Sequence, residues 1–242
     1  MPSSTRHDGR RPDEMRPVKI TPNFVRAVDG SCLIELGNTR VICTACVVNE
    51  LPRWRKDQQL GGWVTAEYGM LPGSTRERKP RPAAKPDGRS VEIQRLIGRV
   101  VRNVVRFEKL GENTVYLDCD VLEADGGTRT ASVTGAYVAL ALAAGRREKA
   151  GQFARGALRG AVAGVSVGLV DGRAVLDLDY AEDSAAQVDM NVAMTAGGKY
   201  VEIQGTSERR PFGAAQLAAM LRLARKGVRQ LIAAQRAAIR KF

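Results

Sequence analysis

The segment Asp125-Gly126-Gly127-Thr128-Arg129-Thr130 places two glycines, two hydroxyls and a guanidinium between a strand-like run and a helix-like run. Glycines let backbone N–H groups turn toward a ligand. A helix N-terminus adds free donors and a dipole that favours an anion. Arg129 contributes a planar fork suited to phosphate. The pattern is neither GxxxxGK[ST] nor GxGxxG, so it is not a Walker loop or a dinucleotide fingerprint. It reads as a phosphate cradle, and a plain tight turn with a threonine helix cap fits the same residues.

A second constellation runs from Glu182 to Asn191. Asp183 and Asp189 follow the run AVLDLDY, and Asp189 opens the alternating stretch QVDMNVAM with Asn191 on its face. An acid on a core-type strand is costly unless it is paired or bound to a metal. Two such carboxylates beside a phosphate cradle suit Mg²⁺ binding or general acid catalysis. Structural pairing with arginines is the competing expectation.

Other chemistry is excluded. The one histidine, His7, sits in a polar N-terminal stretch, so a Ser-His-Asp triad, an HExxH zinc site and a core histidine base are out. Cys43 and Cys46 form a CxxC inside TRVICTACVV, a β-branched run that reads as a strand. Residues three apart on a strand point to opposite faces, so buried core thiols are expected rather than a redox or zinc pair.

These groups need a scaffold. Residues 1–17 read as a polar, basic, mobile arm. GSCLIEL and TRVICTACVV form a hairpin around Gly37 and Asn38. Gly73 to Arg89 holds three prolines and no apolar periodicity, which predicts an exposed binding loop. From Val91 the apolar spacing predicts a helix ended by Gly111, with Arg95, Arg99, Arg102 and Arg106 as one stripe. NTVYLDCDVL is a strand and ASVTGAYVALALAAG a small-residue helix that packs on a sheet. RGAVAGVSVGLV and AVLDLDY form a second hairpin, QVDMNVAMT and YVEIQGT further strands, and Ala214 to about Arg240 a long amphipathic helix. This order gives an α+β layered domain with a hint of internal duplication.

The 242 residues suit one large domain or two small ones, and 44% apolar with 26% charged residues is ordinary for a globular chain. No apolar stretch is long enough to span a bilayer and no secretory signal is seen, so no membrane association and a cytoplasmic location are expected. The formal net charge of +12 points to an anionic partner, nucleic acid first. Charge is segregated: Gly73 to Arg106 holds ten Lys/Arg against three Asp/Glu, and Ser207 to Phe242 nine against one. Glu112 to Asp125 and Val175 to Met190 each hold five acids and no base.

At these motifs the chain resembles the ribonuclease PH family of phosphate-dependent exoribonucleases. RHDGRRPDEMRPVKIT, GGWVTAEYGMLPGSTRERK, EIQRLIGRVVR, LDCDVLEADGGTRTASVTGAYVALA, AEDSAAQVDMNVAMT and EIQGTSE look like that family's signatures, in order over nearly the whole chain. The resemblance implies a ribosomal-protein-S5-domain-2-like α+β fold, a single domain after the arm with duplicated β/α halves at about 18–145 and 160–242. It implies a homohexameric ring built as a trimer of dimers. It implies 3′-to-5′ phosphorolysis of tRNA precursor ends, with inorganic phosphate as co-substrate, Mg²⁺ as cofactor and RNA as partner, and a reverse reaction that adds nucleotides. The family's phosphate site maps onto Arg89, Gly127, Thr128 and Arg129, and its catalytic and metal-holding carboxylates onto Asp183 and Asp189. Its RNA-contacting loop arginines map onto Arg78 and Arg81. Where many relatives carry an arginine after the MLP turn this chain has Gly73, and Arg76 is placed to substitute. Arg95 and Arg99 of the stripe are further RNA-binding candidates. The alternatives are a catalytically inactive RNA-binding ring subunit and a small-molecule kinase on a related fold. Phosphate dependence separates phosphorolysis from both.

Overall fold

The computed structural model describes residues 6–81 and 87–240. Two antiparallel-rich sheets hold the chain together. The first has strands β1 (Val18–Pro22), β2 (Gly30–Leu36), β3 (Thr39–Val48), β4 (Trp63–Met70) and β5 (Thr114–Glu123), in the order β1-β2-β3-β5-β4. Among the described strands only β4 and β5 run parallel, joined through helix α2 (Gly88–Arg102). A four-residue helix, α1 (Arg53–Lys56), precedes β4. The second sheet has β6 (Val162–Val170), β7 (Arg173–Leu176), β8 (Val188–Thr195) and β9 (Tyr200–Ser207), in the order β7-β6-β8-β9.

Helix α3 (Thr128–Lys149) lies between the sheets, touching β2 and β3 on one side and β6 on the other. That position explains its composition. It is buried almost all round from Thr128 to Ala144, so it needs no polar stripe. A Cβ on Gly135 would lie 2.6 Å from the Cys43 sulfur, so glycine sets how closely α3 meets the sheet. The long helix α5 (Ala214–Ile239) covers β6 and β7 and reaches β1.

The CxxC splits as alternation requires. Cys43 is fully buried with Cys32 and Cys119, while Cys46 is half-buried, and all four thiols are free. Burial pushes the Cys43 thiol well above its usual range, which suits a core residue and not a nucleophile.

Three local expectations are corrected, and a further one falls partly outside the described residues. First, α2 begins at Gly88, three residues before the apolar period, because the Asp87 side chain accepts from the Ser90 N–H and caps it. It ends at Arg102, well before Gly111, and a short 3₁₀ turn, Phe107–Lys109, fills the gap. Arg106 therefore leaves the expected stripe and donates to the Gly156 carbonyl. Second, residues 82–86 of the expected loop, 1–5 of the arm and 241–242 lie outside the described residues. Third, β7 stops at Leu176. Asp177 takes φ 56° and Asp179 caps a six-residue helix, α4 (Tyr180–Ala185), so AVLDLDY is a strand only in its first half. Fourth, residues 6–17 are not a mobile arm. Arg6, Arg10 and Arg16 are buried against Asp177, Asp179 and Glu182 of the second half.

Candidate active site

The turn 125–127 joins β5 to α3, and two positive φ angles shape it: Gly126 at 72° and Gly127 at 67°. A Cβ on Gly126 would lie 2.6 Å from the Asp179 carbonyl carbon and 2.7 Å from the Leu178 oxygen. The turn therefore presses, backbone on backbone, against the segment that starts α4.

Gly127 is the N-cap of α3 and no side chain caps it. The helix closes its first bond from the Ala131 N–H to the Gly127 oxygen, leaving the N–H groups before it at the open end. The threonine-cap expectation does not hold. The Thr128 hydroxyl is 2.9 Å from the Tyr68 hydroxyl, and Thr130 bonds the Gly127 carbonyl. This leaves a helix N-terminus free to accept an anion.

Arginines converge there from two helices. Arg129, in the first turn of α3, donates to Gln204 at 3.1 Å and pairs with Glu92 at 3.3 Å. Arg89, exposed in the first turn of α2, reaches the buried Tyr68 hydroxyl and carries its field to Asp183. Tyr68, Glu92 and Gln204 escaped the sequence reading, because their roles come from packing between β4, α2 and β9.

The carboxylates come from the second half of the chain. Asp183 sits on α4 and Asp189 on β8, both half-buried. Burial raises Asp183 above the usual carboxylate range, while Arg89 and Arg129 pull it back down. Burial, aided by the charge of Asp183, pushes Asp189 up to about 6, against Arg129. Glu208, unnoticed in the sequence, adds further negative charge to both. Asn191 donates to Asp189 Oδ2 at 3.5 Å, and Asp189 Oδ1 is buried with no hydrogen-bond partner. An orphaned carboxylate oxygen next to a second acid is a donor set that suits a hard divalent cation.

The sign of the Asp189 contribution to stability follows from counting protons. The folded state holds this proton up to about pH 6, whereas an ordinary aspartate releases it near 3.8. Between those values the folded state binds more protons, so stability falls as pH rises through the window. The ionised form then costs about 3 kcal/mol at neutral pH. Asp189→Asn is expected to raise the urea midpoint at pH 7.5 in chelator and to lose that gain near pH 4. An unchanged midpoint at pH 7.5 contradicts a desolvated Asp189.

The RNA-binding candidates divide. Arg76, Arg78 and Arg81 are exposed on the segment that follows β4, and Arg95 is exposed on α2. Arg99 is engaged within the chain, its fork held by Glu202 of β9 through two bonds of 2.7 Å. Arg102 lies over the Trp63 ring, 4.7 Å from its centroid, and donates to the Val64 carbonyl. Of the helix stripe, Arg95 thus keeps the clearest access to an outside partner.

The fold and the site define an α+β protein of two sheets around α3, with the uncapped end of that helix in one half and two half-buried acids in the other, joined by the field of Arg129. Sequence models of the 3′ exoribonuclease family match it twice, domain 1 over residues 14–144 and domain 2 over 160–227. The chain belongs to this 3′ exoribonuclease family. It is 57% identical to ribonuclease PH of Bifidobacterium longum, covering 97% of this chain and 96% of that one. It is 53% identical to ribonuclease PH of Neisseria meningitidis, covering 95% and 96%. Among solved structures, a chain of the Archaeoglobus fulgidus exosome with RNA bound to the active site superposes with a TM-score of 0.81 at 24% identity, covering 94% of this chain and 91% of that one. A chain of an archaeal exosome core gives 0.77 at 23%, covering 96% and 91%. Among the described residues no helix is long and apolar enough to cross a membrane.

Proposed function

We propose that this chain catalyses phosphate-dependent 3′-to-5′ exonucleolysis of RNA, shortening tRNA precursor 3′ ends by one nucleotide per turnover and releasing nucleoside diphosphates. One observation carries the reading beyond family membership: an uncapped helix N-terminus flanked by Arg89 and Arg129 faces two desolvated carboxylates.

Inorganic phosphate sits on the N–H groups of Gly127 and Thr128, with Arg129 and Arg89 neutralising its charge. It attacks the last phosphodiester of the RNA. The new bond joins it to that phosphorus, and the bond to the 3′-oxygen of the penultimate nucleotide breaks. Negative charge gathers on the oxygens in flight, where the two guanidiniums lower its energy. Asp183, whose carboxyl burial biases toward the protonated form, gives a proton to the departing 3′-oxygen. Asp189 would hold Mg²⁺, which supplies charge neutralisation at the reacting phosphate when bound. Arg76, Arg78, Arg81 and Arg95 lead the RNA toward this point. Because a phosphate ester is exchanged for a diphosphate, the reaction also runs backward and adds nucleotides. We assign the working form to a homohexamer, a trimer of dimers, in the cytoplasm. An inactive ring subunit has no need of both the cradle and the acids, and both are present here.

The test is one incubation of the pure protein with a 3′-extended tRNA and Mg²⁺, with and without inorganic phosphate. Diphosphates released only with phosphate are the expected result. Monophosphates released without phosphate mean hydrolysis. RNA bound but uncut in both arms means the scaffold reading.

A further inference from the structure

The proposed phosphate turn and the proposed acid belong to opposite halves of the chain, so something must hold them in register. The N-terminal segment lies between them. Arg16 donates its backbone N–H to Asp177 Oδ2 at 2.8 Å, its Nε to the same oxygen at 2.9 Å, and Nη2 to Oδ1 at 2.7 Å. The same Nη2 bonds the Leu178 carbonyl at 3.2 Å, and Nη1 bonds the Asp125 carbonyl. One guanidinium therefore ties the first residue of the phosphate turn to the two residues that lead into α4. Its Nη2 lies 3.1 Å from where a Gly127 Cβ would be, directly behind the N-cap. Both members of the pair are almost wholly buried, at 5% and 1% exposure.

The neighbours reinforce the joint. Arg6 bonds both carboxylate oxygens of Glu182 and the carbonyls of Leu176 and Asp177, and Arg10 bonds the Asp177 carbonyl and Asp179. Asp179 and Glu182 are the two members of the capping box that starts α4, the helix bearing Asp183. From the front, Asp125 Oδ1 accepts the Tyr180 N–H at 3.3 Å.

A buried ion pair is a weak source of net stability, since desolvation offsets most of the attraction. What it supplies is geometry: four bonds from one planar group and a fifth from the Arg16 backbone N–H leave little freedom between the two segments. We propose that Arg16 is a positioning residue, which fixes the 125–127 turn against the start of α4 so that phosphate and Asp183 meet in line. This rests on the phosphorolytic reading above and adds the element that assembles the site.

The test is Arg16→Lys in the full-length protein. Lysine keeps the charge but cannot span Asp177, Leu178 and Asp125 together. The expected result is a KM for inorganic phosphate raised on the order of ten-fold or more, with a lower kcat, because small misplacements of reacting groups are expensive. RNA affinity in phosphate-free buffer stays at the wild-type value, and the rise in Tm that phosphate gives the wild type shrinks. A merely structural role would lower Tm without moving phosphate and RNA binding apart. Asp177→Asn keeps the volume and one acceptor but breaks the two-oxygen grip on Arg16, and should raise the phosphate KM in the same direction. A folded Arg16→Lys with wild-type phosphate KM and kcat overturns the proposal. So does an unchanged phosphate KM in Asp177→Asn if Arg16→Lys fails to fold. Wild-type RNA cleavage that ignores phosphate overturns the functional reading first, and the positioning role with it.

Discussion

Asp183→Asn should lower kcat on the order of a thousandfold while leaving phosphate and RNA binding close to wild type. The amide keeps the volume and one acceptor of the carboxyl but has no acidic proton to give. Asp183 is suited to giving one because burial, helped by Glu208, raises its pKa, while Arg89 and Arg129 pull it back. Single-turnover cleavage at saturating phosphate reads the chemical step directly. The result that sinks the role is near-normal turnover. A rise in the phosphate KM with kcat intact would instead make Asp183 a binding group. The charge of Asp183 helps to hold Asp189 above the usual carboxylate range. The pH profile of Asp183→Asn should therefore lose one ionisation and shift the other downward, since Asp189 no longer faces a charged neighbour.

The sheets were largely legible in the sequence. β2 and β3 alternate cleanly around Gly37 and Asn38, and the turn matches the pairing Leu36 with Thr39. Helix α3 was legible through its small residues, which only a helix held between two layers needs. The tight turn before α3 was legible from Gly126 and Gly127, both of which take positive φ. What the sequence hid was every interaction between distant charges. Arg16 and Asp177 are 161 residues apart, and Arg99 and Glu202 are 103 apart. In a linear reading each arginine resembles a solvated charge or an RNA contact. Only the fold, by docking the N-terminal segment on the second half, turns Arg6, Arg10 and Arg16 into buried structure. Helix α4 was hidden for a related reason. The alternation of AVLDLDY mimics a strand, while Asp177 turns the chain left-handed where Arg16 grips it and Asp179 starts the helix.

Gly126→Ala should be among the most damaging small changes in the chain. Two effects add. The residue sits at φ 72°, where a Cβ costs about 1–2 kcal/mol. Its added carbon would meet the backbone of Leu178, Asp179 and Tyr180 at 2.6–2.8 Å, and backbone cannot rotate away as a side-chain tip can. Overpacking of that kind costs about 1–3 kcal/mol more, so a loss of about 3 kcal/mol is expected in urea unfolding. The clash has a direction: relief requires the turn to part from the start of α4, which pulls the proposed phosphate site from Asp183. The fraction of variant that stays folded should therefore show a higher phosphate KM as well as a lower kcat. Gly73→Ala is the internal control. Its added carbon meets nothing within 4 Å, so stability should stay within about 0.5 kcal/mol of wild type. A Gly126→Ala protein as stable as Gly73→Ala would mean that the turn and α4 do not meet, and the site built on their contact would have to be redrawn.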